Sequence, residues 1–249
     1  MLVGSDGHVW PGAPSVAHRS FVEFAAGEHL EETPKVVIYN GDLFDGSKIS
    51  RHSPIGWENR PEVADELDVC KLRLGEIEDA AHPNARLIYN LGNHCLWFCS
   101  RLADRVPEFS RVKGFDLADH FSNRWAMTWV TFINDGPHGV VCKHKFKGGT
   151  HAAHNNALWA GRSFISGHLH SQKISAITNY SGTFWGCDTG CLAFPGGPQF
   201  TYTEGNPLDW RAGFGVFTFR GGKLLPPELV TVWNHERGEV CFRGKIIRV

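Results

Sequence analysis

Apolar positions in the first two thirds of the chain fall into short unbroken runs and longer helical stripes. Val36 to Tyr39 is a solid run of β-branched and aromatic residues that stops at Asn40-Gly41-Asp42. It predicts a central parallel strand buried on both faces, with Gly41 turning the backbone and Asp42 delivered at the carboxyl end. Met1 to Val3 predicts a very short strand leading into Asp6-Gly7-His8, and Ala85 to Leu91 a third strand ending at Gly92-Asn93-His94. Between them, residues 15–29 read as a helix with Ser15 as N-cap and Val16, Phe21, Phe24 and Ala25 facing inward. Val63, Leu67, Cys70, Leu74 and Ile77 recur at steps of four and three, which predicts a helix over 61–81 begun by Pro61, its charged residues forming a solvated face. Residues 95–105 continue as the next helix.

Strands are expected at 129–133 and 139–143 around the turn Asn134-Asp135-Gly136-Pro137. A short helix over 152–160 precedes a strand over 163–166 that ends at Gly167-His168-Leu169-His170. From Ile174 onward the pattern is short β-like runs (215–220, 229–233, 239–243) split by Gly and Pro, without another helical stripe. The expectation is an α/β protein, a single domain over residues 1–249, with two packed sheets and helices outside.

The 249 residues are 42% hydrophobic, enough for one full core, and a net charge of −1 gives no global field to attract nucleic acid or membrane. No apolar run approaches ~18 residues and the first residues lack the basic-then-apolar pattern of a secretory signal, so the expected location is cytoplasmic. Seven scattered cysteines suggest reduced thiols. The pairs Cys95/Cys99 and Cys187/Cys191 leave a structural zinc site as an alternative use. Fourteen histidines are the unusual count, since imidazole is the commonest metal ligand and acid/base at neutral pH.

Those histidines gather at predicted strand ends. Asp6 and His8 share a face if their segment is extended, so both reach one ion. Asp42 and Asp45 are either ligands or turn caps. Asn93 and His94 sit at a strand-to-helix turn, where helix amides also favour phosphate. His144 follows the Val140-Val141-Cys142 run directly and is preferred over its neighbours His138, His151 and His154; His168 and His170 close the set. Arg51, His52, Lys143, Lys145 and Lys147 are candidates to neutralise substrate phosphates. Trp57, Trp97, Trp185 and Trp210 are candidates to stack on bases.

In order and placement, Asp6-x-His8, Gly41-Asp42-x-x-Asp45, Gly92-Asn93-His94, His144 and Gly167-His168-x-His170 resemble the five sequence blocks of the calcineurin-like metallophosphoesterases. The resemblance spans residues 6 to 170 and implies a four-layer α/β/β/α sandwich of two mixed sheets with two divalent metal ions, Mn2+ first and Fe, Ni or Zn as alternatives. It implies that Asp6, His8, Asp42 and His170 hold one metal and Asp42, Asn93, His144 and His168 the other, with Asp42 bridging. A hydroxide held between the metals would attack phosphorus, His94 would protonate the leaving group, and Asp45 would orient its neighbours. Cys95 departs from the pattern, because the family has an acid there that supports the histidine. The expected activity is phosphoester hydrolysis, on a diester such as a nucleic acid or nucleotide in preference to a monoester. A metal-free scaffold on the same fold is the alternative from a different class.

Overall fold

The computed structural model describes residues 1–50, 52–54, 56–134 and 139–249. In chain order the elements are β1 (Leu2–Gly4), α1 (Val16–Ala26), β2 (Val36–Asn40), α2 (Val63–Ala80), β3 (Arg86–Asn90), α3 (Asn93–Arg105), β4 (Trp125–Thr128), β5 (Thr131–Ile133), β6 (Val140–Cys142), α4 (Ala152–Ala160) and β7 (Ser163–Ser166). There follow β8 (Lys173–Asn179), β9 (Gly182–Asp188), β10 (Gly213–Val216), β11 (Phe219–Arg220), β12 (Lys223–Leu224), β13 (Glu228–Asn234), β14 (Glu239–Phe242) and β15 (Lys245–Arg248). The two large sheets have the orders β15-β14-β13-β10-β1-β2-β3-β4 and β5-β6-β7-β9-β8, and β11 pairs with β12 in a separate ribbon. Both large sheets are mixed: β1 to β4 run parallel and β10 joins β1 antiparallel, while β6, β7 and β9 run parallel between antiparallel edges.

Period-two alternation sorts the strand side chains into three interfaces. Leu2, Val37, Tyr39, Leu87 and Tyr89 pack with Phe21 and Phe24 of α1, Leu74 and Ile77 of α2 and Phe98 of α3. The residues of opposite parity, Val3, Ile38 and Ile88, meet Val140, Cys142, Ile165 and Cys187 of the facing sheet. On that sheet's far side Val141, Phe164 and Phe184 pack with Ala157 of α4. The layers are therefore α/β/β/α, the arrangement the sequence resemblance implied. Each of these large apolar side chains contributes roughly 1.5–3 kcal/mol by leaving water, so a charged residue in place of Ile38 would open the seam between the sheets.

Several boundaries move for local reasons. Helix α1 stops at Ala26 because Gly27 takes a left-handed conformation (φ 91°) and its N–H turns back to Phe24 O. The strand expected over 129–133 begins only at Thr131, and β4 before it was not expected: the chain leaves the first sheet after Thr128 and enters the second at Thr131, with Trp129 and Val130 as the crossover. The charged face of α2 is not wholly solvated, since Glu66 and Arg73 are buried, Arg73 donating to Gly12 O and Glu66 accepting from the loop after β2. Most of the turn at 134–137, with His138 and Arg51, lies outside the described residues. Among the described residues, no helix is long and apolar enough to cross a membrane.

Candidate metal centre

The carboxyl ends of β1, β2, β3, β6 and β7 meet at one edge of the two sheets, where parallel strands deliver ligand-binding groups. Two buried asparagines tie the sheets there: Asn90 Nδ2 donates to Asn40 Oδ1 (2.8 Å) and Cys142 O (3.0 Å), and Thr131 Oγ1 donates to Asn90 Oδ1 (2.7 Å). Beyond β1 the backbone stays clamped, Asp6 N donating to Gly41 O and His8 N to Asp42 O. The segment is not extended, however. Asp6 (φ 56°), His8 (39°), Asp42 (52°), His168 (75°) and His170 (57°) all take left-handed backbone conformations. Asp6 and His8 thus converge through two left-handed residues, not through the simple alternation expected of a strand. Such conformations cost on the order of 1–3 kcal/mol each in non-glycine residues and persist only where their surroundings impose them.

Two buried groups result. In the first, ligand atoms of Asp6, His8 and His170 lie within 4.8 Å of one another. Asp6 Oδ1 is 3.1 Å from His170 Nε2 and 3.8 Å from His8 Nε2, and the two Nε2 atoms face each other at 3.2 Å. In the second, Asp42, His144 and His168 lie equally close, with His144 Nε2 2.9 Å from Asp42 Oδ2. The groups adjoin, because Asp6 Oδ1 is also 4.0 Å from His144 Nε2. Asn93 faces the groove described below, and its Oδ1 is buried. A third, overlapping group contains His8, Asp45 and His94.

The donor set fits divalent metal. Among the described residues, Asn93 Oδ1 is buried without a hydrogen-bond partner, while Asp6 Oδ1 and His144 Nε2 are buried with only the ionic contacts given above. A buried polar atom left unpaired costs roughly 1–3 kcal/mol, and mixed imidazole, carboxylate and amide donors suit borderline and hard divalent ions. The glycines beside them are sterically required. A Cβ on Gly41 would stand 2.6 Å from the His144 ring, one on Gly92 2.0 Å from Asp42 Oδ1, and one on Gly167 2.5 Å from Asp6 Oδ2.

Hydrogen bonds on the far side of the rings set the tautomers. His144 Nδ1–H donates to Asn40 O (2.7 Å), which turns Nε2 toward the carboxylates and leaves it as the ligating atom once the ring is neutral. His8 Nδ1–H likewise donates to Asp45 Oδ1 (2.9 Å). Burial opposes charge on these rings, yet Asp45 and Asp6 push the His8 pKa up to about 10, and Asp42 and Asp6 push His144 up to about 9. Reciprocally, Asp6 and Asp42 are held below the ordinary carboxylate range: burial works to raise both, and the surrounding histidines prevail. His168 is pushed down to about 4 by burial and by the neighbouring His144. Burial also lowers His170 and His94.

His94 lies in the first turn of α3, since the helix begins at Asn93 and not at Cys95. Its N–H donates to Asp42 Oδ1 (2.9 Å) and its Nδ1–H to the carbonyl of Asp45 (2.6 Å), while the Asp45 carboxylate stands 3.7 Å from the same nitrogen. Asp45 thus orients the ring. Cys95, by contrast, is buried against Tyr89 OH (3.2 Å) and Gly92 N (3.4 Å), its thiol pushed up to about 12 by burial. The side chain at 95 points into the core, and the support for His94 comes from the loop after β2.

Beside these groups runs a groove of about 1070 Å³ lined by Asn93, His94, Trp97, Arg101, Lys145 and Tyr202, among others. His168 and His52 also border it. Of the four tryptophans proposed for stacking, Trp97 lines the groove and packs on His94 with ring centroids 3.9 Å apart. Trp210 instead backs His170 at 4.4 Å, Trp57 is fully exposed, and neither Trp57 nor Trp185 lines the groove. Lys145 reaches the groove, whereas Lys147 lies 4.4 Å over the Trp159 ring and Lys143 is not among the lining residues. No cysteine joins a potential metal-binding group among the described residues, so the cysteine-zinc alternative finds no support. Residues missed from sequence are Glu66, treated below, and Phe200, which with Trp210 forms a collar on the His8 and His170 rings. The density of aromatics between 200 and 210 was the only available signal for that collar.

No family model matches this chain, and no curated protein matches it. Among solved structures, Zn2+-bound wild-type Vps29 from Entamoeba histolytica is 14% identical with a TM-score of 0.47, the match covering 100% of this chain and 97% of that one. A protein described as a novel archaeal phosphodiesterase is 14% identical (TM-score 0.45, 93% and 98% covered). A predicted phosphoesterase from Streptococcus pneumoniae TIGR4 is 12% identical (TM-score 0.38, 93% and 87% covered). Two mixed sheets between helical layers, with the five motif blocks on loops at one edge, are the arrangement that the sequence resemblance to the calcineurin-like metallophosphoesterases implies.

Proposed function

We propose that this chain is a metal-dependent phosphodiester hydrolase with a dinuclear centre. Asp6, His8, His170 and Asp42 would hold one ion and Asn93, His144, His168 and Asp42 the other, Mn2+ being the first candidate for both. The observation that carries this reading is the convergence of carboxylate, imidazole and amide donors from five strand ends, most of them buried and five of them on left-handed backbone, at one edge beside an open groove. When bound, two such ions supply an activated water and neutralise charge on the phosphoryl oxygens.

The chain's own groups do the rest. His94, with Nδ1–H committed to Asp45, turns its Nε2 edge toward the groove and protonates the departing alkoxide. Only the imidazolium can donate there, so this role is lost as pH rises through the His94 pKa, which burial places below the ordinary value. Lys145, Arg60 and Arg101 supply cations to a groove that Asp45, Glu58 and Asp104 also line, and Trp97 presents an aromatic face beside His94. The groove sits at the upper end of the ~300–1,000 Å³ typical of small-molecule sites. It has room for groups on both sides of a phosphate, which favours a nucleotide or nucleic-acid diester over a small monoester.

The test is turnover with Mn2+ on a nitrophenyl phosphodiester, the matching monoester, cyclic nucleotides, and single- and double-stranded DNA and RNA. Diester cleavage exceeding monoester cleavage supports the reading. No turnover with any divalent metal, together with no stoichiometric metal in the purified protein, would leave a binding scaffold on this fold.

A further inference from the structure

We infer that Glu66 is a positioning residue for this centre: through the backbone of Asp45 and Gly46 it fixes both His8 and His94. The inference rests on the function proposed above. Glu66 comes from α2, an element whose stripe pattern assigns its charges to solvent, yet it is completely buried. Its Oε1 accepts two backbone bonds, from Asp45 N (2.5 Å) and Gly46 N (2.6 Å). Its Oε2 has no partner among the described residues, so all its hydrogen bonding is spent on that turn.

Every polar group of Asp45 is in use. Its carbonyl accepts from His94 Nδ1 (2.6 Å), its Oδ1 from His8 Nδ1 (2.9 Å) and its Oδ2 from Trp10 Nε1 (3.0 Å). One side chain therefore holds the turn that presents both the proposed proton donor and a proposed ligand. The turn needs an anchor, because Gly46 is left-handed (φ 64°) and the loop beyond it carries only a short 3-10 turn over Ser47–Ile49. A hydrophobic residue at 66 would continue the core stripe beside Leu67 and Cys70 at no desolvation cost. Retaining a carboxylate there is accounted for by the two N–H groups it satisfies. Burial and the Asp45 charge push its pKa up to about 8, and the two backbone N–H groups work against that rise.

The test compares Glu66→Gln, which keeps an oxygen acceptor of the same reach, with Glu66→Leu, which removes it. The primary readout is the imidazole Nδ1–H resonances of His8, His94 and His144 in metal-free, 15N-histidine-labelled protein. His144, whose Nδ1–H goes to Asn40 O, is the internal control. The expected result is that Glu66→Gln keeps all three signals while Glu66→Leu loses or shifts those of His8 and His94 only. Unchanged His8 and His94 signals in the Leu variant overturn the inference, and so does simultaneous loss of all three. If the Leu variant does not fold, Glu66→Met gives the same comparison with a side chain of similar length. In turnover, the Leu variant should lose about 10²-fold in kcat with little change in KM, as an ~1 Å misplacement does, and Gln should restore most of it. A wild-type protein without phosphoesterase activity would refute the proposed function, while the resonances would still decide the role of Glu66.

Discussion

Replacing Gly92 by alanine places a methyl carbon 2.0 Å from Asp42 Oδ1, 2.7 Å from its Cγ and 2.7 Å from its backbone nitrogen. The backbone itself accepts the change, since φ at Gly92 is −102°, so the perturbation is purely steric. Ordinary contact begins at 3.4 Å, which requires the carboxylate to retreat by about 1.4 Å. Turning the side chain alone does not relieve the clash, because the Asp42 nitrogen is crowded too. The same retreat breaks the 2.9 Å bond from His94 N to Asp42 Oδ1 and so loosens the proposed donor as well. A displacement of ~1 Å at a reacting centre costs about 10² in rate, and overpacking of a tight site lowers stability by roughly 1–3 kcal/mol. Gly92→Ala should therefore lose at least about 10²-fold in Mn2+-dependent hydrolysis of a nitrophenyl phosphodiester, with reduced metal content by elemental assay. Gly75→Ala is the control: Gly75 lies within α2 with open space around it, and alanine there should add roughly 0.5–1 kcal/mol of stability without altering rate. Near-wild-type metal content and turnover in Gly92→Ala would refute the placement of Asp42 at the heart of the centre.

His94→Ala should keep metal and lose ~10²–10⁴-fold on alkyl or nucleoside leaving groups, with a much smaller loss on nitrophenolate, which departs without a proton. Equal losses on both would remove His94 from the acid role. Asp42→Ala should empty both metal positions and His170→Ala mainly one, read by elemental analysis of the purified variants. Metal uptake should release protons, because His8 (about 10) and His144 (about 9) are protonated at neutral pH without metal and must become neutral to ligate. Apparent affinity then rises with pH, as calorimetry in buffers of differing ionisation enthalpy would show. In the metal-free protein the same two raised values contribute stability that is full below the ordinary histidine value of 6.5 and is lost as pH rises through about 9 and 10, measurable by melting in chelator.

Much of the architecture was legible because strands buried on both faces leave solid apolar runs: Val36 to Tyr39 and Ala85 to Leu91 marked β2 and β3. The strand-end motifs pointed to the edge where the two groups form. What escaped was whatever depends on partners distant in sequence. Nothing around Glu66 distinguishes it from its exposed neighbours, since only the fold brings Asp45 N and Gly46 N to its carboxylate. The left-handed backbone at Asp6, His8, Asp42, His168 and His170 was invisible for the same reason: it is imposed on ordinary residues by tertiary hydrogen bonds, with no glycine to announce it. Strand β4 was missed and β5 was begun two residues early, because Trp129 and Val130, which serve as the crossover, are as apolar as the strands on either side.

The central claim is two metals bridged by Asp42, and anomalous scattering from crystals grown with Mn2+ tests it most directly. The account predicts two peaks ~3.5–4 Å apart, one among Asp6, His8 and His170 and one among Asn93, His144 and His168, with the Asp42 carboxylate between them. A single peak at that edge, or scattering only at the surface group of Glu23, Glu28 and His29, would contradict it.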